Sequence, residues 1–194
     1  MKYIFIDTET GGIEPAEADV LQIAWDLTDE NFDSISKASH YMRRTLPISE
    51  TALGINGLTD AVLEAKAGNP EVIYRNFFND LSQADYLVAH HAPFDKRFIA
   101  KDARRRLKGI ADNLAVEMNG LIGTIKTIDT KKDFIFLNPI WKERRHPGPY
   151  LDEMCRFLGV RTSKMQFHHA DGDVEAMRLC MRQIKTLYSD TNPC

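Results

Sequence analysis

The sequence predicts an α/β fold, a mixed β-sheet flanked by helices on both sides. Two patterns predict it. Three strand-like segments follow one another near the start, and helix-like and strand-like segments alternate after them. The composition agrees: 194 residues, 43% hydrophobic and 27% charged, describe a soluble globular chain long enough to bury a core.

The elements run in this order. Tyr3-Ile4-Phe5-Ile6 is a short apolar run, the signature of a strand buried on both faces. Asp19 to Leu27 and Ile35 to Met42 are two further strands, and the polar turn Thr28-Asp29-Glu30-Asn31 between them predicts a hairpin. Leu46 to Ala67 mixes short helical pieces with Gly54 and Gly57, which predicts an irregular stretch able to cover a site. Pro70 opens a helix, because its fixed φ suits a first turn, and Ile73, Phe77 and Leu81 give it one apolar face. Tyr86-Leu87-Val88-Ala89 is a buried strand, a helix follows Pro93, and Ile125 to Ile128 is a short strand. Pro149 opens another helix carrying Leu151, Met154, Cys155 and Leu158. The last helix runs from about Ala170 to Tyr188, with Val174, Met177, Met181 and Ile184 along one side. With no internal repeat and no low-complexity linker, residues 1–194 are expected to form a single domain, with a core from about residue 2 to 188 and a short tail over 189–194.

Several function classes drop out. No apolar run reaches the length of a membrane span, and the opening is too short and acidic for a signal peptide. A net charge of −3 excludes a bulk basic field, though not an enzyme acting on nucleic acid. Cys155, Cys180 and Cys194 form neither a CxxC pair nor a zinc spacing, so a reduced, cytoplasmic setting is expected.

Three acidic elements carry chemistry. Asp7 and Glu9 end the first strand, and side chains two apart on a strand share a face. Two carboxylates so placed repel by roughly 4 kcal/mol at 4 Å and an effective dielectric near 20, and a divalent cation relieves that repulsion. Asp95 lies in the first turns of the helix that follows His90-His91-Ala92-Pro93, where the helix dipole favours an acid. Asp173 lies in the first turn of the last helix, beside the core face marked by Val174 and Met177. His168 precedes it on a loop and is able to take a proton near neutral pH. Taken alone, the Asp7–Glu9 pair reads first as a solvated strand end and Asp95 first as a helix-start acid, and the His168–Asp173 pair reads also as a helix cap.

Together, in this order, the motifs resemble the DnaQ-like, or DEDDh, 3′→5′ exonuclease family. The first motif is Phe5-Ile6-Asp7-Thr8-Glu9-Thr10-Gly11-Gly12, the second His90-His91-Ala92-Pro93-Phe94-Asp95, and the third His168-x-Ala170-x-x-Asp173. Weaker likenesses at Ala52 to Thr59, Ile128 to Thr130 and Leu151 to Val160 extend the resemblance over nearly the whole chain.

The resemblance implies a ribonuclease H-like fold. It implies two Mg²⁺ or Mn²⁺ ions held by Asp7, Glu9, Asp95 and Asp173, with His168 as general base. It also implies single-stranded DNA or RNA 3′ ends as partners, DNA slightly favoured, and nucleoside 5′-monophosphates as products. An exoribonuclease, an enzyme degrading short oligonucleotides and a catalytically silent binding module are the alternatives. Oligomeric state stays open, a homodimer included. Thr10, Gly11 and Gly12 are expected near the terminal 3′-hydroxyl, and Ile55 or Asn56 beside the terminal base. Two basic runs are read as tracks for phosphate, Lys101 to Lys108 and Lys142 to Arg145, with Trp141 or Phe136 stacking on bases.

Overall fold

A computed structural model describes residues 1–145, 147–163, 165 and 167–191. Strand β1 (Tyr3–Thr10) pairs antiparallel with β2 (Val20–Thr28), which pairs antiparallel with β3 (Ser34–Tyr41). On its other side β1 pairs parallel with β4 (Tyr86–Ala89), and β4 pairs parallel with β5 (Lys126–Asp129). The sheet order is β3-β2-β1-β4-β5. The hairpin between β2 and β3 closes as its sequence requires, with the Asp29 carboxylate accepting from the backbone of Asn31 and Asp33.

Alternation along β1 builds two cores. Ile4 and Ile6 face α3 (Pro70–Leu81), α4 (Ala92–Arg106) and α5 (Asp112–Thr124), meeting Tyr74, Phe77, Phe98 and Met118. Phe5 faces the other side, against α7 (Leu151–Phe157) and α8 (Ala170–Thr191), meeting Met154, Val174 and Met177. The expected mixed sheet with helices on both faces is therefore what the chain adopts. β1 runs on through the acidic residues to Thr10, four residues past the apolar run Tyr3 to Ile6, the other strand bounds shift by a residue or so, and α8 continues past Tyr188 to Thr191. Cys155 on α7 and Cys180 on α8 lie with their sulfurs 3.5 Å apart as free, buried thiols, while Cys194 lies outside the described residues.

Several expectations need correction. Leu46 to Ala67 is more ordered than predicted: α1 (Glu50–Asn56) and α2 (Asp60–Lys66) start at Ser49 and Thr59, whose hydroxyls accept from Ala52 and Val62 N–H groups. Helix α5 has no counterpart in the sequence reading. Gly120 and Gly123 lower its intrinsic propensity, yet Leu114, Met118 and Ile122 at spacing four are buried and override it. The basic run ending α4 is not a free track, because Arg105 and Arg106 turn inward. Both pair with Asp102 at 2.7 Å, and Arg105 also pairs with Asp19. Tyr74 donates its hydroxyl to Asp102 at 2.5 Å, and Asp19 in turn accepts from the Thr45 and Leu46 backbone. In the second run, Arg144 pairs with Glu153, and Trp141 is buried edge-on against Phe157. Of the two expected stacking rings only Phe136 is exposed.

Because β1, β4 and β5 are parallel, their C-terminal ends open on one edge of the sheet. Every acidic element named above starts from that edge or packs against it.

Candidate active site

The carboxyl end of β1 carries Asp7 and Glu9 on the face that packs against α8, and Asp173 enters from the first turn of α8. One carboxylate oxygen from each of these three residues lies within 4.8 Å of the other two. The strand pleat supplies two of the ligands and a helix start supplies the third.

Asp95 arrives from a different direction. The turn from β4 into α4 is pinned by His91, which adopts a left-handed φ of 83° and donates its backbone N–H to Asp129 at 3.0 Å. Asp95 then sits in the first turn of α4, fully buried, and accepts a hydrogen bond of 2.7 Å from the Thr8 hydroxyl. Thr8 points to the α4 side of the sheet because it alternates with Asp7. Asp95 lies outside the group of three, but among neighbouring charges it acts most strongly on Asp7.

The electrostatics are those of acids crowded away from water. Burial, then the Asp173 charge, pushes the Glu9 carboxyl up to about 7. Burial alone accounts for most of the rise of Asp173 to about 7, and the His168 backbone partly offsets it. Asp95 is pushed up to about 7 by burial, against the lowering effect of Thr8. Asp7 stands well above the usual carboxylate range because of burial and the charges of Asp95, Asp173 and Glu9. Asp173 Oδ1 is buried and accepts no hydrogen bond from the described residues. An orphaned anionic oxygen beside two more carboxylates fits a divalent cation, whose preferred ligands are carboxylate oxygens. Asp7, Glu9 and Asp173 are the residues able to hold it directly, with Asp95 beside them.

His168 is not among the acids. It lies on the turn just before α8 with a left-handed φ of 62°, its side chain exposed. Asp173 and Gly172 cap that turn by donating their N–H groups to the His169 carbonyl.

A cavity of about 810 Å³ opens beside Glu9. Thr10, Gly11, Gly12 and Asn56, all expected near a ligand from the sequence, line it, together with Ile55 and Phe94. The wall is close at both glycines: a Cβ on Gly12 would come tightly against the Ala18 Cβ at 3.3 Å, and one on Gly11 would make ordinary contact with the Pro47 carbonyl oxygen at 3.4 Å. Asn56 is committed to the wall rather than free to wedge. It is 6% exposed, its amide donates to the Thr10 carbonyl at 3.1 Å, and its oxygen accepts from Leu58 N–H. Ile55, 55% exposed, is the residue of that pair that presents itself to the cavity.

Two roles escaped the sequence reading. In the sequence Thr8 stands between two acids with no role of its own, although its place on the opposite pleat points it to the α4 side. His90 was only part of a motif. Burial pushes its pKa down to about 4, so it is neutral. Its Nε2–H then donates to the Pro149 carbonyl at 3.1 Å, and its Nδ1 accepts from the Thr130 hydroxyl at 2.9 Å.

Comparison with known proteins agrees with this architecture. The RNase_T model, described as exonuclease, matches residues 4–178. A DNA polymerase III PolC-type protein from Listeria welshimeri is 29% identical over 175 residues, covering 90% of this chain but 10% of the relative. Exodeoxyribonuclease 10 of Escherichia coli is 30% identical over 94 residues, 48% of this chain and 39% of that protein. The chain thus spans about a tenth of the PolC-type relatives' length. Among solved structures, exonuclease I aligns with a TM-score of 0.71 at 21% identity, over 95% of this chain and 41% of that one. A zinc-bound complex of E. coli exonuclease I with single-stranded DNA aligns at 0.72 and 20% identity, over 95% and 40% of the two chains. At that identity the structural likeness establishes the ribonuclease H-like fold, while the match over residues 4–178 establishes kinship: the chain belongs to the exonuclease family.

Proposed function

We propose that this chain is a metal-dependent 3′→5′ exonuclease of the DEDDh type, removing nucleoside 5′-monophosphates from single-stranded nucleic acid, with DNA favoured over RNA. The observation that carries the reading is the cluster of Asp7, Glu9 and Asp173 oxygens within 4.8 Å of one another, beside a cavity large enough for a terminal nucleotide. The preference for DNA draws on the relatives named as DNA polymerase III and exodeoxyribonuclease, and on the exonuclease I complexes with single-stranded DNA.

Asp7, Glu9, Asp95 and Asp173 hold two divalent cations in this reading, and four carboxylates balance their charge. Mg²⁺ or Mn²⁺ supplies neutralisation of the anionic phosphodiester and acidification of the attacking water. The protein does the rest. Thr8 keeps Asp95 oriented and favours its ionised form. The backbone of Thr10, Gly11 and Gly12 approaches the 3′-hydroxyl, and Ile55 packs on the terminal base. His168 swings in from its exposed turn and takes the proton of the attacking water on a ring nitrogen, which places chemistry after substrate binding.

A 5′-labelled oligonucleotide with Mg²⁺ tests the reading. Products shortened stepwise from the 3′ end, and none in EDTA, are expected; internal cuts appearing first would overturn it. Matched DNA and RNA oligonucleotides in the same assay decide the sugar preference.

A further inference from the structure

We propose that Tyr150, flanked by Lys131 and Arg144, is a stacking platform for the single-stranded nucleic acid that lies upstream of the nucleotide in the cavity. The inference deepens the exonuclease reading by assigning the path of the strand outside the cavity.

Tyr150 is 64% exposed, so its ring is not serving the core. Lys131 Nζ lies 5.7 Å and Arg144 Cζ 5.8 Å from the ring centroid. Both cations sit over the ring at that range, and an exposed aromatic ring with two cations beside it combines a stacking surface for a base with charge for its phosphates, without reading sequence. Arg144 is oriented by a two-pronged pair with Glu153, at 2.6 and 2.9 Å, and Tyr150 N–H donates to the same carboxylate.

The platform is tied to the acid cluster. Pro149, the residue before Tyr150, offers its carbonyl to His90 at 3.1 Å, and His90 belongs to the turn that leads to Asp95. Lys131 lies two residues past the end of β5, and β5 is two strands from β1 in the sheet. Two strand spacings are about 10 Å, the scale of a few nucleotides. Charge points the same way. Residues 126–145 carry six cations (Lys126, Lys131, Lys132, Lys142, Arg144, Arg145) against three acids, a surplus that persists after Arg144 is paired with Glu153 just outside the span, in a chain of net charge −3.

The test is fluorescence anisotropy of labelled dT10 and U10 in EDTA, which stops hydrolysis. Tyr150→Ala is expected to raise the Kd about tenfold, and Tyr150→Phe to stay within about twofold, because stacking needs the ring and not the hydroxyl. Lys131→Gln is expected to reduce the slope of log K against log salt by about 0.7. The two oligonucleotides show whether the platform prefers DNA or RNA. Unchanged Kd values in Tyr150→Ala, for both oligonucleotides, overturn the platform. So does failure of the wild type to bind either one. Wild-type hydrolysis of dT10 with Mg²⁺, run in parallel, separates the two ideas: hydrolysis without a Tyr150 effect sinks the platform alone, and Tyr150-dependent binding without hydrolysis sinks the exonuclease reading alone.

Discussion

Burial pushes the Glu9, Asp95 and Asp173 carboxyls up to about 7, from ordinary values of 4.5 for Glu9 and 3.8 for the two aspartates. A carboxyl whose folded pKa is raised stabilises the fold below its unfolded value, and that contribution is lost as pH rises through the folded value. These groups therefore weaken the metal-free protein between about pH 4 and pH 7. His90 has the opposite sign, since its folded pKa is depressed to about 4 from 6.5: its contribution is present above 6.5 and lost as pH falls towards 4. Calorimetry in EDTA isolates the carboxylates by difference. Asp7→Asn is expected to have a higher Tm than wild type at pH 8 and to lose metal-dependent activity; an unchanged or lower Tm at pH 8 contradicts the crowding argument. Thr8 gives a second test. Thr8→Val removes the hydroxyl that favours ionised Asp95, so the acidic limb of the pH–rate profile is expected to move up and turnover to fall about tenfold, with Thr8→Ser restoring both. The acids and His168 were legible because their motifs are local runs of sequence. Thr8 and His90 were not, because their partners lie 87 and 40 to 59 residues away.

Helix α4 serves both ends of the site's support. Its first turn presents Asp95, and its last turn knots Arg105 and Arg106 to Asp102 and Asp19. Asp19 holds the Thr45–Leu46 backbone, and its own carbonyl accepts from Gly11, so the knot fixes the cavity wall to α4. Truncating Asp102, 1% exposed, would take the carboxylate partner from the Tyr74 hydroxyl and the Val20 N–H, and one of their two carboxylate partners from Arg105 and Arg106, which would keep Asp19. Asp102→Ala is expected to cost about 3–5 kcal/mol in urea unfolding, the range for breaking a buried pair on one side. On α8, Met177 is fully buried against β1, and Met177→Ala is expected to cost about 2–5 kcal/mol. Sequence periodicity recovered α3, α4 and α8, whose apolar residues fall on one face. It could not tell that the charges Arg105 and Arg106 turn inward, since a solvated cation and a buried paired one look alike until Asp19, more than eighty residues away, is brought beside them.

At the scale of the whole molecule, one topological fact organises the site. Three parallel strands end on a single edge, so β1 delivers Asp7 and Glu9 there, β4 the turn to Asp95, and β5 the start of the connection carrying Lys131 and Tyr150. Helix α8 then closes the group with Asp173. This convergence is readable only through the joint order of the three motifs, because each acid by itself suits a helix cap or strand end. The match over residues 4–178 agrees with that reading at the level of family.

In the proposed reading Asp7, Glu9 and Asp173 grip divalent cations. Calorimetric titration of the protein with Mn²⁺ at pH 8 addresses it directly. Saturable binding by the wild type that is abolished in Asp7→Asn and in Asp173→Asn, with both variants folded by circular dichroism, is the predicted result; undiminished Mn²⁺ binding in those variants would contradict it.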